Sequence, residues 1–424
     1  MSRLMPADVG TLPAPRTEAA PARASRAVVT AGFVILALSY MVNAMDRQVF
    51  FPLLPNIRTE YGFSLPAGGF LATGFTLGMA VAGVPAGFLL ARRSRKQVLI
   101  ASIVVYSLGT LATPLAVGYT DMMAYRIVSG LGEGMQAAAL FAAVGTYFFH
   151  RRGLALGGIG AAFGLGTILG PLVGVHLATA AHSWRAPLVL FGSCGLVIAM
   201  TAVFAVSSRM TESIADPVIG AATYDHVPAS PYNRNTIALA ISAVLGGLAM
   251  YGFLGLYPTY LITQLHYGSG QAALAASCVG FGGLTAVVSG WLGDRVDQRG
   301  LLILTYLGLA ATSLLVYQTH VGPETQYLYA FLMGAFGIGS LYPNLSSAMQ
   351  RAVQPEHVGA AAGLFISSYY VAAGLSGLLF GALADRIGWS TAGLWQVTVL
   401  SVLAAVTLLG VRTSRFITAP AGAR

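Results

Sequence analysis

Two acidic residues lie in the middle of long apolar stretches of the sequence, Asp46 in the first and Glu133 in the fourth. The other members of the 14 Asp and Glu residues fall in loops, termini or the ends of such stretches. A carboxylate at bilayer depth is costly and usually marks a functional site. Arg47 follows Asp46 directly, and Arg126 precedes Glu133 by close to two helical turns on the same face. Each acid therefore has a basic companion.

This quartet indicates proton and anion chemistry. Low dielectric favours a neutral carboxyl group and a nearby guanidinium favours a carboxylate, so a buried acid can bind and release a proton as its neighbours move. Arginine stays charged, and its planar fork binds carboxylate or phosphate through paired hydrogen bonds. We expect Asp46 and Glu133 to carry protons, and Arg47 and Arg126 to tune them or to bind an anionic substrate. The alternative is that they form two buried ion pairs that only specify helix packing, although such pairs often add little net stability.

The composition requires a membrane environment for these residues. The chain of 424 residues is 56% hydrophobic and 9% charged, whereas charged residues make up about 25% of soluble proteins. Apolar runs near the length of about 20 residues that spans a bilayer predict an all-α membrane protein with twelve transmembrane helices, and the runs are too long for barrel strands. They lie near residues 27–52, 66–90, 98–118, 122–148, 157–180, 186–206, 236–263, 270–291, 300–318, 326–349, 359–383 and 390–411.

The basic residues predict the orientation of these helices. Of the 23 Lys and Arg residues, Arg58, Arg185 and Arg386 fall in loops on one side, Arg47 and Arg126 lie within helices, and the remainder lie in loops and termini on the other side. By the positive-inside rule both termini are cytoplasmic. The net charge of +9 therefore reports topology, and no nucleic-acid partner is expected. The first apolar run is too long for a signal peptide, and we expect a multi-pass protein of a bacterial cytoplasmic (inner) membrane.

The chain also divides into two similar parts. The predicted organisation is a cytoplasmic tail (1–26), a six-helix part (27–206), a central cytoplasmic linker (207–235), a second six-helix part (236–411) and a cytoplasmic tail (412–424). Two short motifs recur at offsets of 203 and 206 residues, 87–93 with 290–296 and 153–157 with 359–363. Duplicated halves are typical of secondary transporters, which bind substrate between the halves near the midplane.

Four motifs resemble those of the major facilitator superfamily. The loop after the second stretch carries the Gly-x-Leu-x-Asp-Arg-x-x-x-Arg-Lys pattern with Ala91 in place of its Asp, whereas the second copy keeps Asp294. The other motifs are Arg126-x-x-x-Gly130-x-x-x-Gly134, a Gly-Pro motif in the fifth stretch, and residues 381–386. The resemblance implies two six-helix halves that work by alternating access. It also implies gating or packing roles for Gly87, Arg92, Arg95, Lys96, Gly166, Gly170, Pro171, Asp294 and Arg295.

A finer resemblance concerns the quartet itself. Asn43-Ala44-Met45-Asp46-Arg47, together with Arg126 to Glu133 and Pro258 to Leu261, is similar to the anion:cation symporter family, which moves organic anions with protons. The same elements of the first and fourth stretches also resemble spinster-like transporters of amphipathic lipids. Met79 and the run Ser367-Ser368-Tyr369-Tyr370 depart from the first family, so the resemblance does not specify the substrate.

The second half offers polar and aromatic groups instead of charge at bilayer depth. We expect Tyr257, Tyr260, Asn344, Ser367 and Tyr370 to contact substrate, with Tyr251, Tyr342, Ser368 and Tyr369 as further candidates. The tyrosines could equally be core or interface-belt residues. A cavity with charge on one wall and Tyr, Asn and Ser on the other suits an organic anion.

The sequence thus favours a proton-coupled secondary active transporter, working as a monomer in the lipid bilayer and most consistent with a small carboxylate substrate. The alternative within transport is a proton-driven exporter of amphipathic compounds, lipids or drugs. A receptor or membrane enzyme is disfavoured, because neither a sizeable soluble domain nor a catalytic cluster is present. No phosphate-binding loop and no metal-ligand spacing occur, so neither a cofactor nor a metal is expected. Whether the anion is imported or exported stays open.

Overall fold

A computed structural model describes residues 25–148, 152–212, 226–228, 230–293, 295–354 and 357–417, and these residues form helices and no strands. In a bilayer this is expected, because a helix satisfies its own backbone hydrogen bonds. The α-helices are α1 (Arg26–Tyr61), α2 (Leu65–Val81), α3 (Gly83–Arg92), α4 (Arg95–Ala112), α5 (Tyr119–Tyr147), α6 (Arg152–Ala180), α7 (Arg185–Ala205), α8 (Ser208–Thr211), α9 (Arg234–Thr263), α10 (Ser269–Gly283), α11 (Ala286–Gly293), α12 (Gln298–Gln318), α13 (Pro323–Gly334), α14 (Tyr342–Arg351), α15 (Val358–Ile387), α16 (Trp389–Ala392) and α17 (Leu400–Leu408).

Among the described residues, eleven helical segments are long and apolar enough to cross a membrane, whereas the sequence predicts twelve. The predicted tenth stretch, 326–349, is helical but is not one of the eleven. It consists of α13, a π-helical segment Ala335–Leu341, and α14. The last of these pieces carries Asn, Ser and Gln side chains, which lower its apolar character. The first helix is longer than predicted, since α1 continues through Pro52 and Pro55 to a left-handed cap at Gly62, where φ is +68°.

Successive long segments alternate in direction, and this gives the bundle two distinct ends. We call the end that carries Lys96 and Val203 the linker end, because the chain passes there from α7 towards α9. At this end Lys96 Nζ donates to the carbonyl of Val203 at 2.8 Å. The opposite end, the far end, carries Tyr61 and Ala116, whose hydroxyl and carbonyl are 2.6 Å apart. We use first half for residues 26–212 and second half for 226–417.

Two of the segments are interrupted at matching places. The chain bends between α2 and α3 at Ala82 and between α10 and α11 at Leu284 and Thr285. The ends of α2 and α10, Val81 and Gly283, are 202 residues apart, close to the offset of the repeated sequence motif. The two halves therefore share a local break as well as a motif.

Close packing of α6 against α1 fixes the position of the acidic and basic pair in α1. A Cβ atom on Gly166 would lie 2.2 Å from the Met41 carbonyl oxygen, and one on Gly170 would lie 2.7 Å from that of Met45. Both distances are shorter than real Cβ contacts allow, so only glycine permits this approach. Pro171 lies within α6 directly after this contact. Small residues that allow two backbones to approach are a common device of helix packing in lipid.

The two halves meet at the far end through α2 and α15. Thr73 Oγ1 donates to the Gly374 carbonyl at 2.9 Å, and Thr76 Oγ1 donates to the Tyr370 carbonyl at 3.2 Å. A Cβ on Gly377 would lie 2.0 Å from the carbonyl oxygen of a glycine in α2, Gly69. We call these interactions the α2–α15 contact. Because threonine hydroxyls bond backbone carbonyls and two glycines bring the helix backbones together, this contact closes the far end between the halves.

Candidate functional site

A cavity of about 430 Å³ lies between the halves, on the linker side of the α2–α15 contact. Residues of α1, α5 and α6 form one wall, and residues of α9, α10, α11, α14, α15 and the π-helical segment form the other. Among the described residues that line it, Arg47 alone carries a charge. A second hollow shares Tyr342 and Pro343 with the cavity and continues to Arg351 at the linker end.

Arg47 is held by Glu133 across the interface of α1 and α5. Its Nε donates to Glu133 Oε2 at 2.9 Å, and its Nη2 lies 2.8 Å from the same oxygen. Glu133 is fully buried and Arg47 is 4% exposed. The guanidinium also lies 5.2 Å from the centre of the Phe163 ring and 5.6 Å from that of Phe75. Among the described residues, the one charge on the cavity lining is thus neutralised by a buried carboxylate that does not itself line the cavity.

A series of polar contacts links Glu133 to Asp46. Thr110 donates through Oγ1 to Asp46 Oδ2, its oxygen lies 3.3 Å from that of Ser129, and Ser129 donates to Glu133 Oε1 at 3.4 Å. Asp46 is buried, and its Oδ1 has no hydrogen-bond partner among the described residues. The two acids of the sequence motif are therefore members of one polar network that crosses α1, α4 and α5.

On the other side of Arg47 the network continues through amides. Arg47 Nη2 donates to Asn43 Oδ1 at 3.2 Å, and Asn43 Nδ2 donates to Gln136 Oε1 at 2.9 Å. Gln136 Nε2 in turn donates to Ser39 Oγ at 3.0 Å. These groups fix the guanidinium from a second direction, so Arg47 is oriented before any ligand arrives.

Arg126 is buried between helices and does not line the cavity. Its Nε and Nη2 donate to the carbonyls of Leu71 and Ala72, both at 3.4 Å, and its guanidinium lies 3.8 Å from the centre of the Phe50 ring. The Phe75 ring, which contacts Arg47, is also 4.8 Å from Arg126. Both arginines of the quartet therefore lie near one phenylalanine ring, and only Arg47 lines the cavity.

The second-half wall of the cavity is aromatic and apolar. Tyr251, Tyr342, Tyr369 and Tyr370, which we call the tyrosine cluster, line it together with Met250 and other apolar residues. All described second-half residues that line the cavity and carry a polar side chain are tyrosines. Of the residues predicted to contact substrate in this half, Tyr370 lines the cavity.

The other predicted contacts of the second half lie elsewhere. Tyr257 is buried, and its hydroxyl donates to Gln326 at 3.2 Å. Tyr260 donates to a backbone carbonyl of α12 at 3.3 Å. Asn344 donates to Ser289 Oγ at 2.8 Å and serves the packing of α14 on α11. Ser367 lines a separate surface groove between α9 and α15. None of these four lines the cavity in this conformation.

Gly166, Gly170 and Pro171 lie at or beside the contact of α6 with α1, whereas the other described motif residues lie at the linker end. Arg92 lies 3.9 Å from the centre of the Phe88 ring, Arg295 lies 4.1 Å from that of Trp291, and Gly87 has open space around the position of a Cβ. Asp294 lies outside the described residues. Arg95 and Lys96 begin α4, and their backbone N–H groups each donate to the carboxylate of Glu212 at 3.0 Å.

Sequence reasoning missed several members of the site. Tyr40 lines the cavity and lies seven residues before Arg47, which places both on one helix face. Gln136 follows Glu133 by three residues and shares its face in the same way. These spacings could have identified both residues. Thr110 carries no such signal, because it reaches Asp46 from another helix.

No group of three or more His, Cys, Asp or Glu side chains is placed to hold a metal ion within the part of the chain that the structure describes. The fold and the site together define a multi-pass helical membrane protein with a central cavity that is open towards one end of the bundle. The model of the Major Facilitator Superfamily matches residues 36–377 and 239–423. The chain belongs to this superfamily.

Individual relatives and solved structures agree with this assignment. The chain is 25% identical over 408 residues to a hexuronate transporter of Bacillus subtilis, covering 89% of this chain and 93% of that protein. It is 26% identical over 302 residues to a 4-hydroxybenzoate transporter of Pseudomonas aeruginosa, covering 64% and 67%. A D-xylose-proton symporter structure superposes with a TM-score of 0.72 at 16% identity, covering 92% and 100%. An inward-facing, unoccupied bacterial homologue of the transporter spinster gives 0.69 at 16%, covering 91% and 96%.

These findings make the chain an integral, multi-pass membrane transporter rather than an enzyme. They confirm the resemblance to the major facilitator superfamily. Likeness to the solved structures at this identity concerns the fold alone.

Proposed function

We propose that the protein is a proton-coupled secondary active transporter that moves a small organic anion by alternating access. The observation on which this depends is the position of Arg47, which lines the cavity on one side and is paired with the buried Glu133 on the other. A carboxylate entering the cavity meets a cation that already has an anionic partner.

Coupling follows from competition for that cation. When a substrate carboxylate binds Arg47, two negative charges would share one guanidinium in a site of low dielectric, and like charges disfavour each other's ionised form. Glu133 then takes up a proton from water, and Arg47 keeps one anionic partner. When the proton leaves, Glu133 binds Arg47 again and displaces the substrate. Substrate and proton are therefore carried together.

Asp46 extends this exchange to a second acid. Thr110 and Ser129 connect it to Glu133, and hydroxyl groups can both donate and accept hydrogen bonds. A proton on Asp46 would remove the buried negative charge from a carboxylate whose Oδ1 has no partner among the described residues. We assign Asp46 the role of a second proton carrier, which acts on Glu133 through the two hydroxyl groups.

The proposed topology completes the mechanism. Segment 323–351 serves as a twelfth span, the chain has six spans on each side of the linker 207–235, and both termini lie in the cytoplasm of a bacterial inner membrane, where one monomer is sufficient for transport. The excess of Lys and Arg at the linker end supports this orientation. With the linker end inside, closure by the α2–α15 contact makes this conformation inward-facing.

The relatives support an organic anion. Two of them are named as transporters of hexuronate and 4-hydroxybenzoate, and both compounds are carboxylates. The D-xylose transporter of similar fold is named as a proton symporter. A second candidate is export of amphipathic compounds, which the apolar wall formed by Met250 and its neighbours favours.

Reconstitution of the purified protein separates these proposals. Proteoliposomes containing a pH-sensitive dye are exposed to benzoate, to galacturonate and to a lipophilic cation without an imposed gradient. Entry of a carboxylate coupled to saturable, protein-dependent proton movement is expected, measured against liposomes without protein because benzoic acid also crosses bilayers. Proton movement with the cation alone would favour the amphipathic exporter, and movement with none would contradict proton coupling.

A further inference from the structure

We propose that the transported anion is an aromatic monocarboxylate, whose ring is bound by the tyrosine cluster while its carboxylate is bound by Arg47. This inference rests on the proposed function, because it specifies the substrate class of the same cavity. Neither the superfamily nor the network around Glu133 specifies which chemical group is attached to the carboxylate of the substrate.

The rings of the tyrosine cluster are set at steep angles to each other. Tyr251 meets Tyr369 and Tyr370 with ring centres 6.1 Å apart in each case and interplanar angles of 78° and 75°. Tyr369 and Tyr370 are 5.5 Å apart at 89°, and Tyr342 meets Tyr369 at 5.3 Å and 77°. Aromatic rings attract one another in such edge-to-face arrangements, through a negative face and a positive edge. A flat aromatic ligand can join the cluster with the same geometry.

The cluster and the charge are adjacent. Tyr40, Tyr251 and Tyr370 line the same cavity as Arg47, and the Phe75 ring centre lies 5.6 Å from the Arg47 guanidinium and 6.5 Å from the Tyr251 ring centre. On the first-half wall Phe163 packs on Tyr40, with ring centres 4.9 Å apart. A carboxylate bound at Arg47 therefore has its attached ring between aromatic groups from both halves of the chain.

A polyhydroxylated acid fits this lining poorly. Each sugar hydroxyl that enters a cavity needs hydrogen-bond partners, and a buried polar group without a partner is costly. Among the described second-half residues that line the cavity, the polar side chains are tyrosines, and the hydroxyls of Tyr342 and Tyr370 already bond each other at 3.2 Å. On the first-half wall Thr167 donates to a carbonyl of its own helix at 2.7 Å. The polar side chains that remain for a sugar acid are Gln48 on the first-half wall and single tyrosine hydroxyls, which are fewer than its several hydroxyl groups need.

The test compares three anions and one neutral alcohol on the purified full-length protein by equilibrium binding in detergent. Benzoate is the aromatic probe, cyclohexanecarboxylate has similar size without a π system, galacturonate is the hexuronate, and benzyl alcohol lacks the charge. We expect benzoate to bind at least about tenfold more tightly than galacturonate, and up to about tenfold more tightly than cyclohexanecarboxylate. Benzyl alcohol should bind more weakly than benzoate.

Variants assign the effect to the rings. Tyr370→Leu should lower benzoate affinity about two- to tenfold and leave cyclohexanecarboxylate nearly unchanged, whereas Tyr370→Phe keeps the ring and should keep the preference. Tyr251→Leu provides a second test if Tyr370→Leu does not fold. Tyr329→Leu, in α13 and outside the cavity lining, is the matched control and should behave like the unmodified protein in all three comparisons.

The outcomes separate this inference from the proposed function. Tighter binding of galacturonate than benzoate, with loss of both in Arg47→Ala, would overturn the aromatic assignment and leave the anion transporter standing. Equal loss of benzoate and cyclohexanecarboxylate in Tyr370→Leu and Tyr251→Leu would also overturn it. Binding of benzyl alcohol as tightly as benzoate, unaffected by Arg47→Ala, would contradict both proposals.

Discussion

Arg47 holds Glu133 through one carboxylate oxygen only. Both Nε and Nη2 of Arg47 contact Oε2, at 2.9 and 2.8 Å, whereas Oε1 has a 3.4 Å contact from Ser129. The guanidinium is thus not in the parallel two-oxygen arrangement that gives arginine–carboxylate pairs their full strength. Oε1 is the oxygen that can take a proton while Oε2 still contacts Arg47. Arg47 can therefore exchange Glu133 for a substrate carboxylate without first separating completely from Glu133.

Glu133→Gln tests the proton carrier. We expect loss of accumulation driven by a pH gradient, because the amide cannot take up a proton, while binding and counterflow remain in part. The measurement is uptake in proteoliposomes with and without an imposed gradient. Glu60→Gln removes an acid that pairs with Arg185 at the far end and is the matched control. Gradient-driven accumulation by Glu133→Gln at the level of the unmodified protein would contradict the role.

Asp46→Asn tests whether the second acid takes part. The pH dependence of transport should shift, because one of the two linked acids no longer titrates. Thr110→Val should shift it as well, since it removes the hydroxyl group that donates to Asp46. Transport rates across a pH series provide the measurement. If both variants follow the pH profile of the unmodified protein, Asp46 is a structural residue.

The two arginines should respond differently to substitution. Arg47→Ala removes the charge on the cavity lining, and we expect affinity for a carboxylate to fall about 10- to 150-fold, from a charged hydrogen bond of roughly 1.5–3 kcal/mol. Arg47→Lys keeps the charge without the fork and should lose less. Arg126→Ala should lower thermal stability and leave the preference for an anion over its neutral analogue. Equal selectivity in Arg47→Ala and the unmodified protein would exclude anion binding by Arg47.

Gly377→Val should abolish transport. Even its Cβ would lie 2.0 Å from the Gly69 carbonyl oxygen, so the α2–α15 contact cannot form and the far end cannot close. Binding from the linker side should become weaker, because displacement of α15 moves Tyr369 and Tyr370, which line the cavity. Gly270→Ala, at the start of α10, where a Cβ meets nothing within 4 Å, is the control and should transport normally. Uptake and thermal unfolding are measured together, and normal uptake by Gly377→Val would show that closure does not need this contact.

Glu212 predicts a pH-dependent contribution to stability. Partial burial raises the pKa of its carboxyl group, but the N–H groups of Lys96 and Arg95 outweigh this effect and hold the pKa below its usual value. A lowered pKa in the folded state stabilises the fold above the ordinary carboxyl pKa, and the stabilisation is lost as pH falls through the folded value. Glu212→Gln should therefore lower Tm at pH 7 and have little effect at acidic pH. A difference in Tm that does not change with pH would contradict this role.

The sequence was sufficient for the fold because lipid leaves few alternatives. Long apolar runs must be helices in a bilayer, and the predicted stretches agree with the eleven spans. The exception, 326–349, contains a π-helical segment and polar residues of α14, so it is not one continuous apolar α-helix. The ion pair of Arg47 was anticipated only in part, since the pattern placed charges at one depth without assigning partners.

Which tyrosines line the cavity could not be predicted from the sequence. Tyr251 and Tyr257 belong to the same helix, yet six residues separate them by roughly 240° around its axis. Tyr251 lines the cavity and Tyr257 donates to Gln326 on another face. Hydrophobic periodicity cannot distinguish these faces in a helix that is buried on most sides. The choice depends on how α9 is rotated against α15, and this is a property of the assembled bundle.

The α2–α15 contact also affects how well the protein prevents ions from leaking across the membrane. The contact is made by glycine backbones and by short threonine side chains. None of these groups is long enough to keep contact when the two helices separate. A gap of roughly 0.5–1 Å already forfeits about a quarter to a half of the dispersion attraction between two atoms, and the Thr73 hydrogen bond is lost with it. The far end is therefore either shut or parted, with no stable position between. A carrier that was partly open at both ends would let protons cross the membrane without moving substrate. A contact that has no partly open state prevents this leak.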